Sequence, residues 1–527
     1  MATLENSDSS SSRPTHVTQH LLHLAAGELH YRAIAAWQPL FDPIDPDKPV
    51  AEMFHVAYLQ MGTEQLPAST PSPRPLTFVF NGGPGAASAY LHMGALGPQR
   101  LCFGPNGTLP PPPVQVVDNA ETWLTFTDLV FVDPIGTGFS RSVQKDGGKA
   151  KAKGAQPVTK PDGSVVESPS SDNREPPELE FWEGDRDLQA LGEFIQAFLS
   201  RHHRWRSPIF IAGESYGGFR VARLTHTLQK DFGIGLSGAI LISPALEFGL
   251  LNATDYNLTT WATTLPSLAA AAAYHGKAEW AGASGDLTAQ QAAAETFAYR
   301  TLLPFLAMGD SVTAEERQAV YQQLAQLLGL PVDLVERQGG RIGIAIFARE
   351  LLRQERQVVG VYDASITAVD PFPGRDRYEG SDPTLDGIMR LFTRAINDHL
   401  RHTLGVETDL PYHLLSWTTF KSWKFQDKQS WGQQGYAGSV DSLRAGMTLN
   451  PYLKVYITHG IFDLITPYFA SNHLVGLMQL PDEIRANLTL RHFPGGHMFY
   501  AWDESRRQWF ADMQRFYGSD QASVSPT

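Results

Sequence analysis

The sequence predicts a three-layer α/β fold, because short apolar strands alternate with amphipathic helices along much of the chain. Leu76–Phe80, Pro208–Ala212 and Gly238–Ser243 are short apolar runs of the kind that parallel sheets bury on both faces. Phe181–Leu199 carries apolar side chains at helical spacing, and a second helix is predicted from the turn at Ser215 to about Leu228. This alternation is typical of a parallel sheet covered by helices on both sides.

Further strands are predicted nearer both ends of the chain, with a mainly helical stretch between them. They are His30–Trp37, Glu52–Gln60, Leu124–Val132, Leu453–Thr458 and Leu488–His492, and a helix over Ser505–Tyr517 follows. We expect a disordered tail over 1–16, an α/β core over 17–248 and 436–527, and a helical cap insertion over 249–435. The segment 147–177 has almost no large apolar side chain, which predicts a mobile loop within the core.

Composition excludes several classes of function. The 527 residues include 42 Lys and Arg against 55 Asp and Glu, a formal net charge of −13. Such an acidic chain is a poor partner for nucleic acid or an anionic membrane, and no apolar run approaches the roughly 18 residues of a membrane span. The single cysteine, Cys102, allows no intramolecular disulfide and no thiolate metal cluster.

The same sequence lacks the local patterns of metal, phosphate and secretory segments. No metal-ligand spacing of the H-E-x-x-H kind and no P-loop occurs, so we expect no metal and no cofactor. The N-terminal stretch has neither a basic n-region nor an apolar h-region, which predicts a cytoplasmic protein. Nothing in the sequence indicates the oligomeric state.

The sharpest chemical signal is the sequence Gly213-Glu-Ser-Tyr-Gly217. A serine between two glycines, on a turn from a strand to a helix, is the pattern of a nucleophile elbow. Glycines are needed there because the tight turn leaves no room for side chains beside the serine. The alternative is a glycine-rich turn with a purely structural role.

A serine nucleophile needs a base, and the base needs an acid to orient it. In α/β-hydrolases the order along the chain is Ser, then Asp or Glu, then His, each after a strand. Asp463 follows the strand over Leu453–Thr458, and His497 follows the strand over Leu488–His492. The alternatives are a helix-capping role for Asp463 and a solvated loop for His497. His459 competes as the base, but it precedes the acid, so we interpret it as a packed histidine.

Five motifs in this sequence resemble those of the serine carboxypeptidases, a branch of the α/β-hydrolase fold. They are Asn81-Gly-Gly-Pro-Gly85, Asp133-Pro-Ile-Gly-Thr-Gly-Phe-Ser140, Gly213-Glu-Ser-Tyr-Gly-Gly218, Gly460-Ile-Phe-Asp463 and Gly496-His-Met498. They stand in the order of the family and span most of the chain. The stretch from about 249 to 435 carries little of the resemblance, so substrate preference is not transferred through it.

The resemblance implies a role for each matching residue. Ser215 would be the nucleophile, His497 the general base and then acid, and Asp463 the group that orients the imidazole. The oxyanion hole would be formed by the backbone N–H groups of Gly83 and Tyr216, which stabilise charge that develops in the transition state.

The resemblance also implies a site for the terminal carboxylate of a substrate, formed by Asn81, the N–H of Gly82 and Glu214. Glu214 can donate a hydrogen bond to a carboxylate only when it is itself protonated. The alternative for Glu214 is a buried acid paired with a base such as Arg220.

Two departures from the family bear on these roles. Ala86 stands where the family usually has a cysteine, which is consistent with a bacterial-type member that folds without disulfides. Ala95 stands where the family often has a second glutamate beside the elbow acid. A second carboxylate would raise the pKa of Glu214 by repulsion of like charges, and a methyl group cannot.

The sequence therefore predicts a cofactor-free serine carboxypeptidase that acts on peptides through a Ser-His-Asp triad and an acyl-enzyme. Asn81 and Glu214 favour that prediction. An esterase or acyltransferase that uses the same triad stays open, because a fold does not fix the substrate. A catalytically inactive binding protein is disfavoured, since all three triad residues are present.

Overall fold

The chain is built around a twisted ten-stranded sheet. The computed structural model describes residues 13–42, 44–61, 74–143, 180–278, 287–425 and 437–518, with the backbone of 158–159 and 165–166. The long path of the sheet consists of β1 (His16–Leu24), β2 (Gly27–Phe41), β3 (Pro49–Gln60), β4 (Leu76–Phe80), β5 (Asp128–Val132), β6 (Ile209–Glu214), β7 (Gly238–Ile242), β8 (Lys454–Gly460) and β9 (Leu488–Phe493).

The strand order across the sheet is β1-β2-β3-β5-β4-β6-β7-β8-β9, and the two-residue strand Arg141–Ser142 pairs with β3. Strands β1, β2, β3 and β5 pair antiparallel in succession, and every pair from β5 to β9 is parallel. Because parallel strands end at one edge of the sheet, the loops after β4, β6, β8 and β9 lie together. This order, with the turn after β6, is that of the α/β-hydrolase fold.

Helices and small strand pairs make up the rest of the described structure. The helices are α1 (Ala89–Leu91), α2 (Gly184–Arg201), α3 (Tyr216–Asp231), α4 (Leu258–Tyr274), α5 (Leu287–Phe297), α6 (Leu303–Met308), α7 (Ala314–Leu328), α8 (Val332–Arg337), α9 (Ile344–Glu350), α10 (Leu385–Asp398), α11 (Trp417–Ser422), α12 (Val440–Leu449), α13 (Tyr468–Leu477), α14 (Asp482–Arg485) and α15 (Asp503–Gly518). Wider π-helical turns cover His92–Leu96, Ala298–Leu302 and His399–Thr403. Two-stranded pairs join Gln99–Leu101 to Val116–Asp118, Val158–Thr159 to Val165–Val166, and Gln357–Val359 to Thr367–Val369.

Alternate side chains of the strands enter two separate apolar clusters, one on each face of the sheet. In β6, Ile209 and Ile211 pack with α2, α3 and α12 on one face. Phe210 and Ala212 point the other way and pack with α10 and α15. The period of two along each strand therefore produces three layers, and the three-layer prediction is confirmed.

The helices α4 to α9 form a third apolar cluster together with the residues that follow β8. Ile461, Phe462 and Leu464 contribute the contacts on the sheet side of this cluster. By contrast, α10 packs into the second face of the sheet, although it falls inside the predicted insertion. The boundaries 249–435 and 436–527 stay a prediction. None of the helices in the described ranges is long and apolar enough to cross a membrane.

Most sequence-predicted elements coincide with the observed ones to within a few residues. The exception at the N-terminal side is β1, which begins at His16, inside the predicted tail. It is an edge strand in which exposed residues such as Val17 and Gln19 alternate with less exposed ones, so it lacks the continuous apolar run of the central strands. The predicted mobile loop 147–177 lies outside the described residues, apart from the short strand pair named above.

A buried ion pair joins the two helices that flank the turn at Ser215. The guanidinium of Arg220 on α3 donates to Asp187 of α2, with an Nε–Oδ2 distance of 2.7 Å. It also donates from Nη1 to the backbone carbonyl of Asn81, at 2.8 Å. All three residues are buried, so one cation connects α2, α3 and the turn after β4.

We expect Asp187→Ala to lower the free energy of unfolding by about 3–5 kcal/mol, because it leaves the Arg220 charge buried without its partner. Denaturant unfolding measures this loss. Asp185→Ala on the same helix is the matched control, since its partner Arg223 is nearer to solvent. It should cost about 1 kcal/mol or less. Equal losses from both variants would contradict the prediction.

Candidate active site

Ser215 occupies a sharp turn between a strand and a helix. β6 ends at Glu214 and α3 begins at Tyr216, so the serine alone connects them. Its backbone has φ +61° and ψ −122°, a conformation that side chains rarely adopt. The flanking glycines are required, because a Cβ at Gly213 would lie 2.1 Å from the carbonyl oxygen of Gly217. The turn therefore has the geometry of a nucleophile elbow.

His497 and Asp463 meet at the ends of β9 and β8. The Nδ1 atom of His497 lies 2.7 Å from Oδ2 of Asp463, and both side chains are buried. Burial alone lowers the pKa of His497, but the charge and hydrogen bond of Asp463, together with the charge of Glu214, outweigh it and raise that pKa above 6.5. The pair has the geometry of an imidazole that is oriented by a carboxylate.

Asp463 also organises its own loop. Its Oδ1 accepts backbone N–H bonds from Ile465 at 2.8 Å and Thr466 at 3.0 Å, and the Thr466 hydroxyl donates to Oδ2 at 2.6 Å. The helix-capping alternative is wrong, because α13 begins at Tyr468 with Pro467 at its N-cap, and the carboxylate closes a turn within the loop before it. The same group contacts His497 through its remaining lone pair, so the two roles are compatible.

Ser215 and His497 line a single cavity of about 400 Å³. Within the described ranges, neither the Ser215 hydroxyl nor Nε2 of His497 makes a hydrogen bond to another residue. The serine is partly exposed and the imidazole is buried, but both residues line the cavity. Both reactive groups are therefore available to a molecule inside it. Hydrogen bonds between such groups are often loose until substrate binds.

The turn after β4 packs directly against the elbow. A Cβ added to Gly82 would lie 2.6 Å from the Tyr216 nitrogen and 2.7 Å from Cβ of Ser215, so only glycine allows this approach. Gly83 has φ +99°, which also favours glycine. The N–H groups of Gly82, Gly83 and Tyr216 donate to no acceptor in the described parts of the chain. They are free to bind an anion next to Ser215.

Glu214 is buried beside the serine and is held by two neutral donors. The amide of Asn81 donates to Oε2, and the Tyr500 hydroxyl donates to Oε1 at 2.8 Å. Burial is the main cause that raises the pKa of Glu214 to about 7, against the lowering effects of His497 and of the two hydrogen bonds. The charge of Asp463 adds to the effect of burial, so the carboxyl group is partly protonated near neutral pH without a glutamate at position 95.

The alternative interpretation of Glu214 as the partner of Arg220 is wrong, because Arg220 is committed to Asp187. Ala95 is buried on the π-helical turn, and its carbonyl accepts a bond from Asn119. Ala95 has no carboxyl of the kind that the family often has at this position. In this protein, burial is the main cause that raises the pKa of Glu214.

His459 lies in the core and away from the cavity. Its Nδ1 is 3.0 Å from the Thr466 carbonyl oxygen, and its Nε2 is 2.8 Å from the Ser471 hydroxyl. The ring is fully buried, and burial holds its pKa well below 6.5. Both ring nitrogens are occupied, which agrees with its interpretation as a packed histidine.

A segment of the predicted insertion holds the loop of His497, and the sequence did not predict this contact. The His497 N–H donates to the carbonyl of Tyr362 at 2.5 Å, and the Tyr362 ring packs edge-on against the imidazole with centroids 5.2 Å apart. Asp363 accepts the Gly496 N–H at 3.0 Å. No motif marks these residues, so the sequence held no signal for them. Tyr500, three positions after His497, was missed as well.

The described residues contain no group of three or more His, Cys, Asp or Glu side chains that could hold a metal ion. The cavity brings together the Ser215 hydroxyl, the His497 imidazole, the Glu214 carboxyl and backbone N–H donors, and Asp463 holds the imidazole from behind. These groups suit acyl transfer.

Residues 53–263 match the family model described as serine carboxypeptidase. The resemblance to the serine carboxypeptidase family is confirmed over this segment. Serine carboxypeptidase-like 45 of Arabidopsis thaliana is 29% identical over 197 residues, which are 36% of this chain and 33% of that protein. Serine carboxypeptidase-like 9 of the same plant is 25% identical over 185 residues, 33% of each chain. The matches thus span about one third of the length of these relatives.

The solved structures that match this chain have much lower sequence identity to it. Proline iminopeptidase of Mycobacterium smegmatis is 14% identical with a TM-score of 0.36, covering 93% of this chain and 100% of its own. A putative aryl esterase from Burkholderia cenocepacia is 9% identical with a TM-score of 0.35, covering 92% of this chain and 100% of its own. The serine carboxypeptidase segment contains β4 and the elbow, whereas His497 and Asp463 lie beyond it.

We expect Asp463→Asn to lower the pKa of His497 below 6.5, because burial remains while the attracting charge is lost. Histidine NMR across a pH series measures this, with the signal assigned by its absence in His497→Gln. Thr466→Val removes a neutral partner of the same carboxylate and should move the pKa less. A His497 pKa that stays above 6.5 in Asp463→Asn would show that the carboxylate does not control the imidazole.

Proposed function

We propose that this protein is a serine carboxypeptidase, which hydrolyses the last peptide bond of a chain with a free C-terminus. Ser215, His497 and Asp463 act as nucleophile, base and orienting acid. Asn81, Gly82 and Glu214 bind the terminal carboxylate of the substrate. The substrate is a peptide, and no metal or cofactor takes part.

The observation that carries this proposal is the direct adjacency of Glu214 and Ser215 at one end of a single cavity. In a peptide, the terminal carboxylate is separated from the last peptide carbonyl by one amino-acid residue. A carboxyl that is half protonated near pH 7 can donate to that carboxylate, together with the Asn81 amide. A substrate held in this way presents its last peptide carbonyl to Ser215, the residue next to Glu214.

Acylation follows from the groups around the serine. The Ser215 oxygen attacks the carbonyl carbon while Nε2 of His497 takes the hydroxyl proton. The carbonyl oxygen becomes an oxyanion, which accepts hydrogen bonds from the N–H groups of Gly83 and Tyr216. When the C–N bond breaks, the imidazolium gives its proton to the leaving amine. An acyl-serine ester and a free amino acid result.

Deacylation repeats the same steps with water. His497 removes a proton from water as the oxygen attacks the ester carbonyl, and the oxyanion again binds to the backbone N–H groups. The proton returns to the Ser215 oxygen as the C–O bond breaks. Asp463 stabilises the imidazolium of His497 in both halves of the reaction, and it keeps one imidazole proton on Nδ1.

The lining of the cavity supports substrates with apolar side chains. Apolar groups come from the core and from the predicted insertion, among them Phe248, Ile344, Leu385, Ile388, Leu415 and Phe420. No Lys or Arg is present among its described lining residues, so acidic side chains would find no partner there. The single cysteine, Cys102, favours a reducing compartment such as the cytoplasm.

We expect Ser215→Ala to abolish hydrolysis and labelling by a fluorophosphonate, with a loss of about 10⁴–10⁶ in kcat. Ser267→Ala is the control, because Ser267 is buried in α4 and its hydroxyl has no partner in the described chain. That variant should keep wild-type activity. Retention of a tenth of the activity by Ser215→Ala would overturn the assignment.

We expect kcat/KM for an N-blocked dipeptide with a free C-terminus to fall as the pH rises through about 7, because Glu214 loses its donor proton. Glu214→Gln keeps a neutral donor at every pH and should flatten this alkaline limb. The acid limb should remain, since it reports protonation of His497. An unchanged alkaline limb in Glu214→Gln would remove Glu214 from carboxylate recognition.

Matched substrates separate the peptidase from the esterase alternative. The same blocked dipeptide is offered as the free acid, the C-terminal amide and an ester. Preference for the free acid over the amide supports the carboxypeptidase. Turnover of the ester alone would indicate an esterase, and no turnover at all would indicate a binding protein.

A further inference from the structure

The Asn81 amide can act toward Glu214 only as a donor. Its Oδ1 accepts the backbone N–H of Leu91 at 3.0 Å, which turns its nitrogen toward Oε2 of Glu214. Both side chains are buried, so no water replaces this contact freely. Asn81 therefore makes the same contact whether Glu214 is ionised or neutral.

The Tyr500 hydroxyl is the donor to the other oxygen of Glu214. It donates to Oε1 when Glu214 is ionised, and it can still donate there when Glu214 carries its proton on Oε2, which leaves that proton for the carboxylate of a substrate. Tyr500 is fully buried, with its ring stacked at 6.0 Å on Trp509 and packed against Phe499. Its hydroxyl therefore remains at Glu214 in either protonation state.

The neighbouring turn is shaped to admit this ring. A Cβ added to Gly94 would lie 2.8 Å from Cε2 of Tyr500, so a side chain there would displace the phenol. Tyr500 is not among the residues that line the cavity, which separates it from direct contact with substrate. It reaches the substrate site only through Glu214.

We propose that Tyr500 is the positioning residue that fixes the Glu214 carboxyl in both protonation states and sets the pH at which the site stops accepting a free carboxylate. The proposal deepens the proposed function and rests on it for the identity of the substrate. A neutral phenol, Tyr500, thus adjusts the pKa of Glu214 in a chain that has Ala95 where the family often has a second glutamate.

The direction of the effect follows from the strength of the hydrogen bond. A bond to an ionised carboxylate is stronger than one to a neutral carboxyl, so Tyr500 stabilises the ionised form more. Its loss should raise the titration midpoint of Glu214 by about one pH unit. The other titratable groups that face Glu214 are His497, Asp463, Tyr90 and Tyr362. They are unchanged by a substitution at Tyr500.

The test is Tyr500→Phe, with Glu214 observed directly. Infrared difference spectra across a pH series follow the C=O stretch of protonated Glu214, which is assigned by its loss in Glu214→Gln. In parallel, kcat/KM is measured against pH for the free-acid dipeptide and for its ester. We expect the infrared midpoint and the alkaline limb of the free acid to move up together by about one pH unit. The ester has no terminal carboxylate, so its profile should lack an alkaline limb that moves with Glu214.

The matched control is Tyr517→Phe, which also removes one buried tyrosine hydroxyl. That hydroxyl lies 2.7 Å from the Thr77 hydroxyl, away from the cavity. It should leave the Glu214 midpoint unchanged. Gly94→Ala displaces the Tyr500 ring with the hydroxyl retained, and it should shift the midpoint in the same direction. It carries the test if Tyr500→Phe fails to fold.

The outcomes separate this inference from the proposed function. An infrared midpoint that stays fixed or falls, or an equal shift in Tyr517→Phe, would overturn the role of Tyr500. A shifted midpoint in a protein whose wild type does not hydrolyse free-acid peptides would support Tyr500 and reject the carboxypeptidase. Hydrolysis with a shifted midpoint and a matching alkaline limb supports both.

Discussion

The close approach of the Asn81–Gly85 turn to the elbow at Ser215 is the constraint on which the site depends. The two loops follow the adjacent strands β4 and β6, and Gly82 lets their backbones come within van der Waals distance. This contact places three backbone N–H groups beside the serine and sets the Asn81 amide on Glu214. Arg220 also holds this turn, because its guanidinium donates to the backbone carbonyl of Asn81. The groups that can bind an anion and the serine nucleophile are therefore positioned by the same pair of packed turns.

The protonation of Glu214 and His497 depends on which charged groups lie beside each of them. Arg220 is paired with Asp187 and not with Glu214, and burial of Glu214 outweighs the effect of His497, which favours the ionised form. Asp463 faces the imidazole and stabilises its positive form. The two carboxyl groups of the site, Glu214 and Asp463, thus differ in what they do with a proton. One readily keeps a proton, and the other holds a proton on its partner His497.

Much of this arrangement could be predicted from the sequence, for physical reasons that also explain the omissions. Strands buried on both faces are continuous apolar runs, and the loops after parallel strands meet at one edge, so Asp463 and His497 could be assigned to one site. The edge strand β1 lacks such a run. Tyr500 and Tyr362 reach the site through tertiary packing, which leaves no local pattern. The identity of the partner of Glu214 is likewise a property of three-dimensional packing.

The segment Tyr362–Asp363 has a consequence for how this protein can diversify. It belongs to the part of the chain that least resembles the family, yet it holds the backbone of Gly496 and His497. A cap that merely covered the cavity could be exchanged for another without harm to the chemistry beneath it. Here the same insertion lines the cavity and holds the loop of His497. A replacement insertion that alters selectivity therefore preserves activity only if it keeps the contacts that Tyr362 and Asp363 make with that loop.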